Sequence, residues 1–381
     1  MLSLHTNIAA LSAHVALGRA EGRTALAATR LGTGLRINSA MDDAAGLQIA
    51  TRLAAQSRGM ATAVNNIQKS LSLLQTAEGA LDESGAMLIR MKDLATQAAD
   101  ASSSPADRVA LQAEFAALGR ELSHIASGTT FGGSKLLLGD TTAEKAAVAA
   151  TAAAAATSAA NAAGALATAQ NTYNTAVAAD LALSTPGTQA AVTAAAAAVA
   201  AATSLHTANQ AAATDAQNYA VQVAAATAID GVFSKPVRFQ IGASASETML
   251  VDLTAPLGAM HSALHAASST YDTFGIQRSN DGTELLLAST ASATIDKLQS
   301  AIDAVASTRS QLGATANRMT YVNGNLTHAR FDTTVARGRI VDTDFAQESA
   351  DLVSNQLLTQ AGGAVLRQSN SMASMLMSLL N

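Results

Sequence analysis

Residues 53–88 read LAAQSRGMATAVNNIQKSLSLLQTAEGALDESGAML, and within them Leu53, Met60, Ile67, Leu74, Leu81 and Leu88 recur at every seventh position. An α-helix turns once in about 3.6 residues, so a strict repeat of seven holds one apolar column on one side and marks long helices that bundle lengthwise. The spacing predicts a helix over residues 43–100. Gly46, Gly59, Gly79 and Gly85 lie inside it. Each costs up to about 1 kcal/mol relative to alanine, which packing against partner helices must offset.

Working outward, Ser102-Ser103-Ser104-Pro105 reads as a loop, an N-cap and a first-turn proline, with Asp107 near the positive end of the helix dipole. Leu111, Phe115, Leu118, Leu122 and Ile125 then form one stripe that Gly128 closes, a second bundle helix antiparallel to the first. A third is expected over residues 294–339, where Leu298, Ile302, Val305, Leu312, Met319 and Leu326 take heptad positions. Arg309, Asn323, Arg330 and Arg337 share that stripe; polar groups at such positions cost stability and can set register. Short β-like stretches are expected at 135–138, 237–241, 248–253 and 283–288, beside glycine and Asn-Asp-Gly turn signals. The fold class is therefore mainly α, a long-helix bundle with a small β-hairpin region.

Composition changes abruptly over residues 141–230, where about half the positions are alanine and only Glu144, Lys145, Asp180, Asp215 and Asp230 are charged. Ser184-Thr185-Pro186-Gly187 interrupts the run with a turn signal. Two flanking stretches of about 40 residues would each make a helix of roughly 60 Å. The expected structure is an antiparallel helical hairpin whose arms cover each other through alanine contacts. A disordered insert is the alternative, but disorder normally comes with high charge and low hydrophobicity.

The whole chain is 381 residues, 13% charged and 3% aromatic, with no tryptophan and no cysteine. Such an inventory is poor material for a pocket lined by large apolar and aromatic side chains. A net charge of -5 provides no basic footprint for nucleic acid. Without cysteine there are no disulfides and no thiolate metal sites. The first twenty or so residues lack a basic segment ahead of an apolar run, so any export would use an uncleaved signal. The longest near-continuous apolar run, 194–202, is too short for a membrane span, and no membrane insertion is expected.

The sharpest enzyme-like pattern is His261-Ser262-Ala263-Leu264-His265, two histidines that could face one metal on a helix. A metalloprotease would need glutamate where Ser262 stands, and no third ligand follows. No catalytic, metal or cofactor site is therefore assigned; exposed or interfacial polar residues are the better reading. His5, His14, His124, His206 and His328 are scattered, as expected for surfaces or subunit contacts. Both chain ends are amphipathic, through Leu4, Ile8, Leu11 and Val15 at one end and Met372, Leu376, Leu379 and Leu380 at the other, with Val365 and Leu366 upstream. Apolar seams at both extremes invite pairing with each other or with other subunits.

These residues resemble bacterial flagellin. Leu35-Arg36-Ile37-Asn38-Ser39-Ala40 and Asp42-Asp43-Ala44-Ala45-Gly46 are similar to the family's SGLRINSAKDDAAG, with Thr33 and Met41 replacing Ser and Lys. His5-Thr6-Asn7-Ile8-Ala9-Ala10-Leu11 resembles NTNIASL, Glu78-Gly79-Ala80-Leu81 resembles EGAL, and Leu94-Ala95-Thr96-Gln97 resembles LAVQ. Near the other end, Arg339-Ile340-Val341-Asp342-Thr343-Asp344-Phe345-Ala346 is similar to RIEDTDFA, and Val365-Leu366-Arg367-Gln368-Ser369-Asn370 to VLAQAN. Phe131-Gly132-Gly133 stands for the family's FNG, and Ala373 for its C-terminal proline. The alanine-rich insert precedes the stretch that looks like IQVGANDGETIDIDL, as if the β-hairpin had been opened and extended.

The resemblance implies a secreted subunit that polymerises into the extracellular flagellar filament, its terminal arms folding on assembly. It also implies an export chaperone, a filament cap and hook-junction proteins as partners. Arg90, Leu94 and Glu114 match the surface that a host toll-like receptor reads in the family. The alternative within the same superfamily is a hook-filament junction protein, which the dense C-terminal match argues against. The expected divisions are 1–42 and 341–381 as coiled-coil arms, 43–140 and 294–340 as helical core, 141–230 as the insert, and 231–293 as a β-rich part with a variable loop.

Overall fold

The computed structural model describes residues 7–225, 230–274, 276 and 281–380, apart from the side chains of 141, 143, 144 and 373–380. Among them are eight α-helices: α1 Ile8–Thr33, α2 Ala44–Ala99, α3 Pro105–Gly128, α4 Thr141–Leu183, α5 Pro186–Ala225, α6 Thr254–Ala267, α7 Ala288–Val341 and α8 Phe345–Leu380. Two small sheets pair β1 Thr130–Phe131 with β2 Ser134–Lys135 and β3 Val237–Gln240 with β4 Thr248–Val251. The chain forms two compact units, one from the chain up to Asn66, Gln240–Glu247 and Tyr321 onward, the other from Ile67–Phe239 and Thr248–Thr320.

In the second unit α2, α3, α6 and α7 enclose an apolar core. Ile67, Leu74, Leu81 and Leu88 are buried along α2, accompanied by Ala77, Met91 and Ala98 and by the half-polar positions Ser70 and Ser84. These form a second column at the same spacing, and all but Met91 are small side chains that let neighbouring helices approach. From α7, Leu298, Val305, Leu312 and Met319 are buried, with Ala301 and Thr308 between them. Arg309 sits at the edge of this stripe, bridging Glu78 and Asp82 of α2 at 2.8 Å each. Lys92 donates to Gln299 at 2.6 Å, so α2 and α7 run antiparallel. The capping box opens α3 as its sequence suggests: Asp107 N–H donates to Ser104 Oγ at 3.2 Å and Ser104 N–H to the Asp107 carboxylate at 3.0 Å. Hydrogen bonding from the Ser104 side chain and from its backbone N–H holds the Asp107 carboxyl below the usual carboxylate range.

Residues 283–288 are not a strand. The Gln112 side chain of α3 accepts from Leu285 N–H at 2.6 Å and donates to Asp281 O at 2.6 Å, so the backbone is satisfied as a turn leading into α7. The 135–138 stretch is a strand only as far as Lys135; Leu136, Leu137 and Leu138 are buried beyond it, Leu136 N–H donating to Thr129 O at 3.0 Å. Gly132 and Gly133 carry φ of 58° and 85°, the left-handed pair that a tight hairpin turn between β1 and β2 requires.

The insert is the α4–α5 hairpin. On α4, Val148, Ala152, Ala155, Ala159, Ala162, Leu166, Ala169, Tyr173 and Ala176 are buried or half-buried at alternating spacings of four and three. On α5 the same alternation takes Val192, Ala195, Val199, Ala202, His206, Asn209, Ala213, Ala216, Ala220 and Val223. It is an antiparallel coiled coil with an alanine seam, and His206 belongs to that seam rather than to the surface. Its two stalks lie side by side: a side chain on Gly231 would collide with the Leu138 backbone, and Phe233 N–H reaches Leu136 O at 3.4 Å. An insertion whose ends meet leaves the surrounding core in place. Against the expectation from 194–202, Lys145–Leu183 and Pro186–Ala225 are each long and apolar enough to cross a membrane by length and composition, with alanine supplying the apolar character.

In the first unit α1 and α8 pair antiparallel. Asn7 donates to Ser369 O at 3.1 Å near one end, and Arg30 faces Glu348 at 3.6 Å near the other. The turn between α1 and α2 is tied to the end of α7 by Arg36 N–H on Val341 O at 2.7 Å and the Arg36 guanidinium on Ile340 O at 2.7 Å. Within it Asp42 accepts from the Asn38 and Ser39 amides, which hold its carboxyl low. Gly59 lies where a side chain would press on Ala243, so α2 and the 240–247 turn touch there through their smallest groups.

Candidate functional site

Alanine and threonine build the inner face of the terminal pair. Ala13, Ala20 and Ala27 of α1 are buried at every seventh position, with Ala10, Leu17 and Thr24 half-buried between them. On α8 the facing positions are Glu348, Leu352, Asn355, Thr359, Gly362, Leu366 and Ser369. A side chain at Gly362 would stand 3.6 Å from the Leu17 side chain, so the two helices lie close. Apart from Leu17, Leu352 and Leu366 the seam is small or polar, so it removes only a modest apolar area from water, at about 25 cal/mol per Å².

Many of the larger side chains point away from that seam. Ile8, Leu11 and Val15 are 69%, 64% and 48% exposed. On α8, Leu358, Val365 and Met372 recur every seventh residue and are more than half exposed, with Val353 and Leu357 beside them. Leu366 turns into the α1 seam instead. Leu4 lies outside the described residues, and the side chains of Leu376, Leu379 and Leu380 are likewise outside them. Met60 of the heptad column is buried and Leu53 half-buried. Arg330 and Arg337 of α7 are exposed rather than held in its stripe.

The histidine pair proves to be structural. His261 is buried on α6, and its Nε2 lies 2.8 Å from Leu137 O while Nδ1 lies 2.8 Å from the Tyr271 hydroxyl. A carbonyl only accepts, so Nε2 carries the proton and Nδ1 accepts from Tyr271. Burial pushes the His261 imidazole down to about 4, the Leu137 bond opposing and His265 adding to the shift. With both nitrogens engaged, neither is open to a metal. His261 is thus neither exposed nor interfacial, which corrects the sequence reading: its partner is a backbone oxygen 124 residues away, beyond the reach of helical spacing. His265 alone stays exposed, 3.1 Å from Thr273 Oγ1. Beside this cluster, Tyr219 of α5 donates to the buried Asp272 carboxylate at 2.7 Å, tying the base of the hairpin to the core. A cleft of about 910 Å³ opens there between α4, α5 and α6.

Arg90 and Glu114 form a half-exposed ion pair at 2.6 Å that joins α2 to α3. Leu94 is fully buried about one turn beyond the buried Met91 on α2, so it does not join them at the surface.

A coiled-coil scaffold whose two ends pair through small residues and turn large apolar ones outward defines a self-assembling structural subunit. Two family models match the chain: the bacterial flagellin N-terminal helical region over residues 4–142 and the C-terminal helical region over residues 295–380. Flagellin D of Vibrio cholerae is 32% identical over 381 residues, covering 100% of this chain and 99% of its own. Flagellin B of Vibrio anguillarum is 33% identical over 397 residues, with 100% and 99% covered. The crystal structure of Bacillus cereus flagellin is a more remote match, 19% identical with a TM-score of 0.38 over 69% of this chain and 88% of its own. The chain belongs to the bacterial flagellin family. It is a structural, non-enzymatic subunit that polymerises into the extracellular flagellar filament used for motility. From residue 143 onward the hairpin, with β3, β4 and α6, falls between the two matched regions.

Proposed function

We propose that the outward stripes of α1 and α8 are the contacts between subunits in the filament, and that the terminal pair completes its folding there. The observation that carries this is the division of α1 into two faces: Ala13, Ala20 and Ala27 turned to α8, Ile8, Leu11 and Val15 left in water. An isolated pair with so slight a seam is marginal, because fixing each residue costs about 1–2 kcal/mol of entropy. Neighbouring copies supply the missing apolar burial, and assembly becomes folding coupled to binding. Such contacts must be head-to-tail and non-closing for a filament to grow.

Before assembly the same stripes need cover. An export chaperone masking α8, a cap at the growing end and junction proteins at the base are partners that fit exposed amphipathic helices. The test is deletion of α1 or of α8, alongside Leu11→Lys and Val365→Lys in the full chain. Sedimentation and electron microscopy should find no filaments, while circular dichroism shows the bundle helices of the second unit retained. Normal filaments from both deletions would sink the assignment.

A further inference from the structure

The α4–α5 hairpin spends one face of each arm on its own seam and leaves the rest in water. Only 11% and 6% of the most apolar windows of the two arms are buried. A helix with one wet face ordinarily carries charge there. Here Leu181, Leu183, Leu205 and Val221 are 87%, 68%, 55% and 69% exposed, among alanine, threonine and asparagine. The charged residues of the two arms are Glu144, Lys145, Asp180 and Asp215, of which Lys145 and Asp180 lie on the seam positions. Among the described residues Asp215 is the one charged side chain left on the outer faces, and the small side chains around it allow close helix approach.

We propose that these outer faces are a second interface between copies of this chain, each hairpin packing lengthwise on the hairpin of a neighbouring subunit. It rests on the filament reading, since polymerisation is what holds many hairpins at fixed separation and high effective concentration. The available area suits that role. An arm of 40 residues is about 60 Å long and 10 Å wide, so lengthwise contact buries roughly 600 Å² per partner. The total, roughly 1,200 Å², stands at the lower edge of stable interfaces. It is sufficient once the cost of association has been met by the filament core and insufficient to pair free monomers. The contact therefore forms in filaments only.

The test uses the unsubstituted full chain first. Hydrogen exchange of the amides in α4 and α5 is compared between filaments and depolymerised monomers, and the expected result is at least tenfold slower exchange in filaments. The absence of native cysteine then permits single Leu205→Cys and Val221→Cys chains, treated with a short bis-maleimide. Covalent dimers are expected from filaments and not from monomers at the same concentration. Unchanged exchange in well-formed filaments overturns the hairpin contact while leaving the filament assignment intact. Failure of the unsubstituted chain to form filaments overturns both. Slower exchange on phosphatidylcholine vesicles but not in filaments would give the face to a lipid surface and overturn the contact between copies.

Discussion

At the scale of single residues, His261 couples the second unit to pH. Its imidazole is neutral in the fold and lies well below the ordinary histidine value of 6.5, at about 4, because it is buried. The unfolded chain therefore binds a proton first as pH falls. Stability is fully present above about pH 6.5 and declines through the interval down to about 4, by an order of 3 kcal/mol in all. Thermal unfolding followed by circular dichroism from pH 8 to 4 should show this slope, and His261→Gln should flatten it. An identical slope in the variant would exclude His261 as its source. Glycines of α2 and α3 separate in a similar way. Gly85 has open space where a side chain would go, so Gly85→Ala should raise the unfolding midpoint through helix propensity, by up to about 1 kcal/mol. A side chain at Gly119 of α3 would press on Thr270 and Ser268, so Gly119→Ala should lower it by overpacking, about 1–3 kcal/mol. Equal midpoints for the two variants would contradict the packing described.

At the scale of elements, the hairpin is an addition to the bundle rather than a part of it. Its stalks meet at Gly231 and Leu138, and its base adds the Tyr219–Asp272 hydrogen bond to the core. Removing residues 143–228 leaves Asp272 with the Phe274 and Ile276 amides as donors but without the tyrosine. The expected loss is about 1–3 kcal/mol, the cost of one buried acceptor site left unmade. Filaments should still form, thinner or smoother by electron microscopy and dissociating at a lower temperature. Failure to assemble would place the hairpin in the filament core.

For the whole molecule, α1 and α8 present two faces, an inner one that pairs them and an outer one that leaves large apolar side chains exposed. Enlarging the inner seam should disturb both pairing and polymerisation: Ala20→Leu forces α1 off the close approach that Gly362 permits, with filament yield expected to fall at least tenfold. Polymerisation should also carry a negative heat-capacity change measurable by calorimetry at several temperatures, the signature of burying apolar surface. A change near zero would mean that the stripes stay in water.

Much of the architecture is local and so is written in the chain order of residues. The heptad column from Met60 to Leu88, the Ser104 cap, the alanine seam and its turn at Ser184-Thr185-Pro186-Gly187 all follow from backbone propensity and from periods that match helix geometry. Three matters depend on tertiary packing. α1 is apolar on two sides, and a pattern of apolar residues cannot rank them; close approach to α8 selects alanine for the inside and leaves Ile8, Leu11 and Val15 outside. His261 and His265 share a helix face in sequence, yet only contact with Leu137 and Tyr271 makes the first a buried neutral pin. Residues 283–288 read as a strand until Gln112 takes up their backbone groups. Sequence alone determined the long helices and that the ends would seek partners, but not α6, which lies where the chain reads as β-rich. Tertiary structure decided which face each partner receives, because that depends on how near two backbones can come.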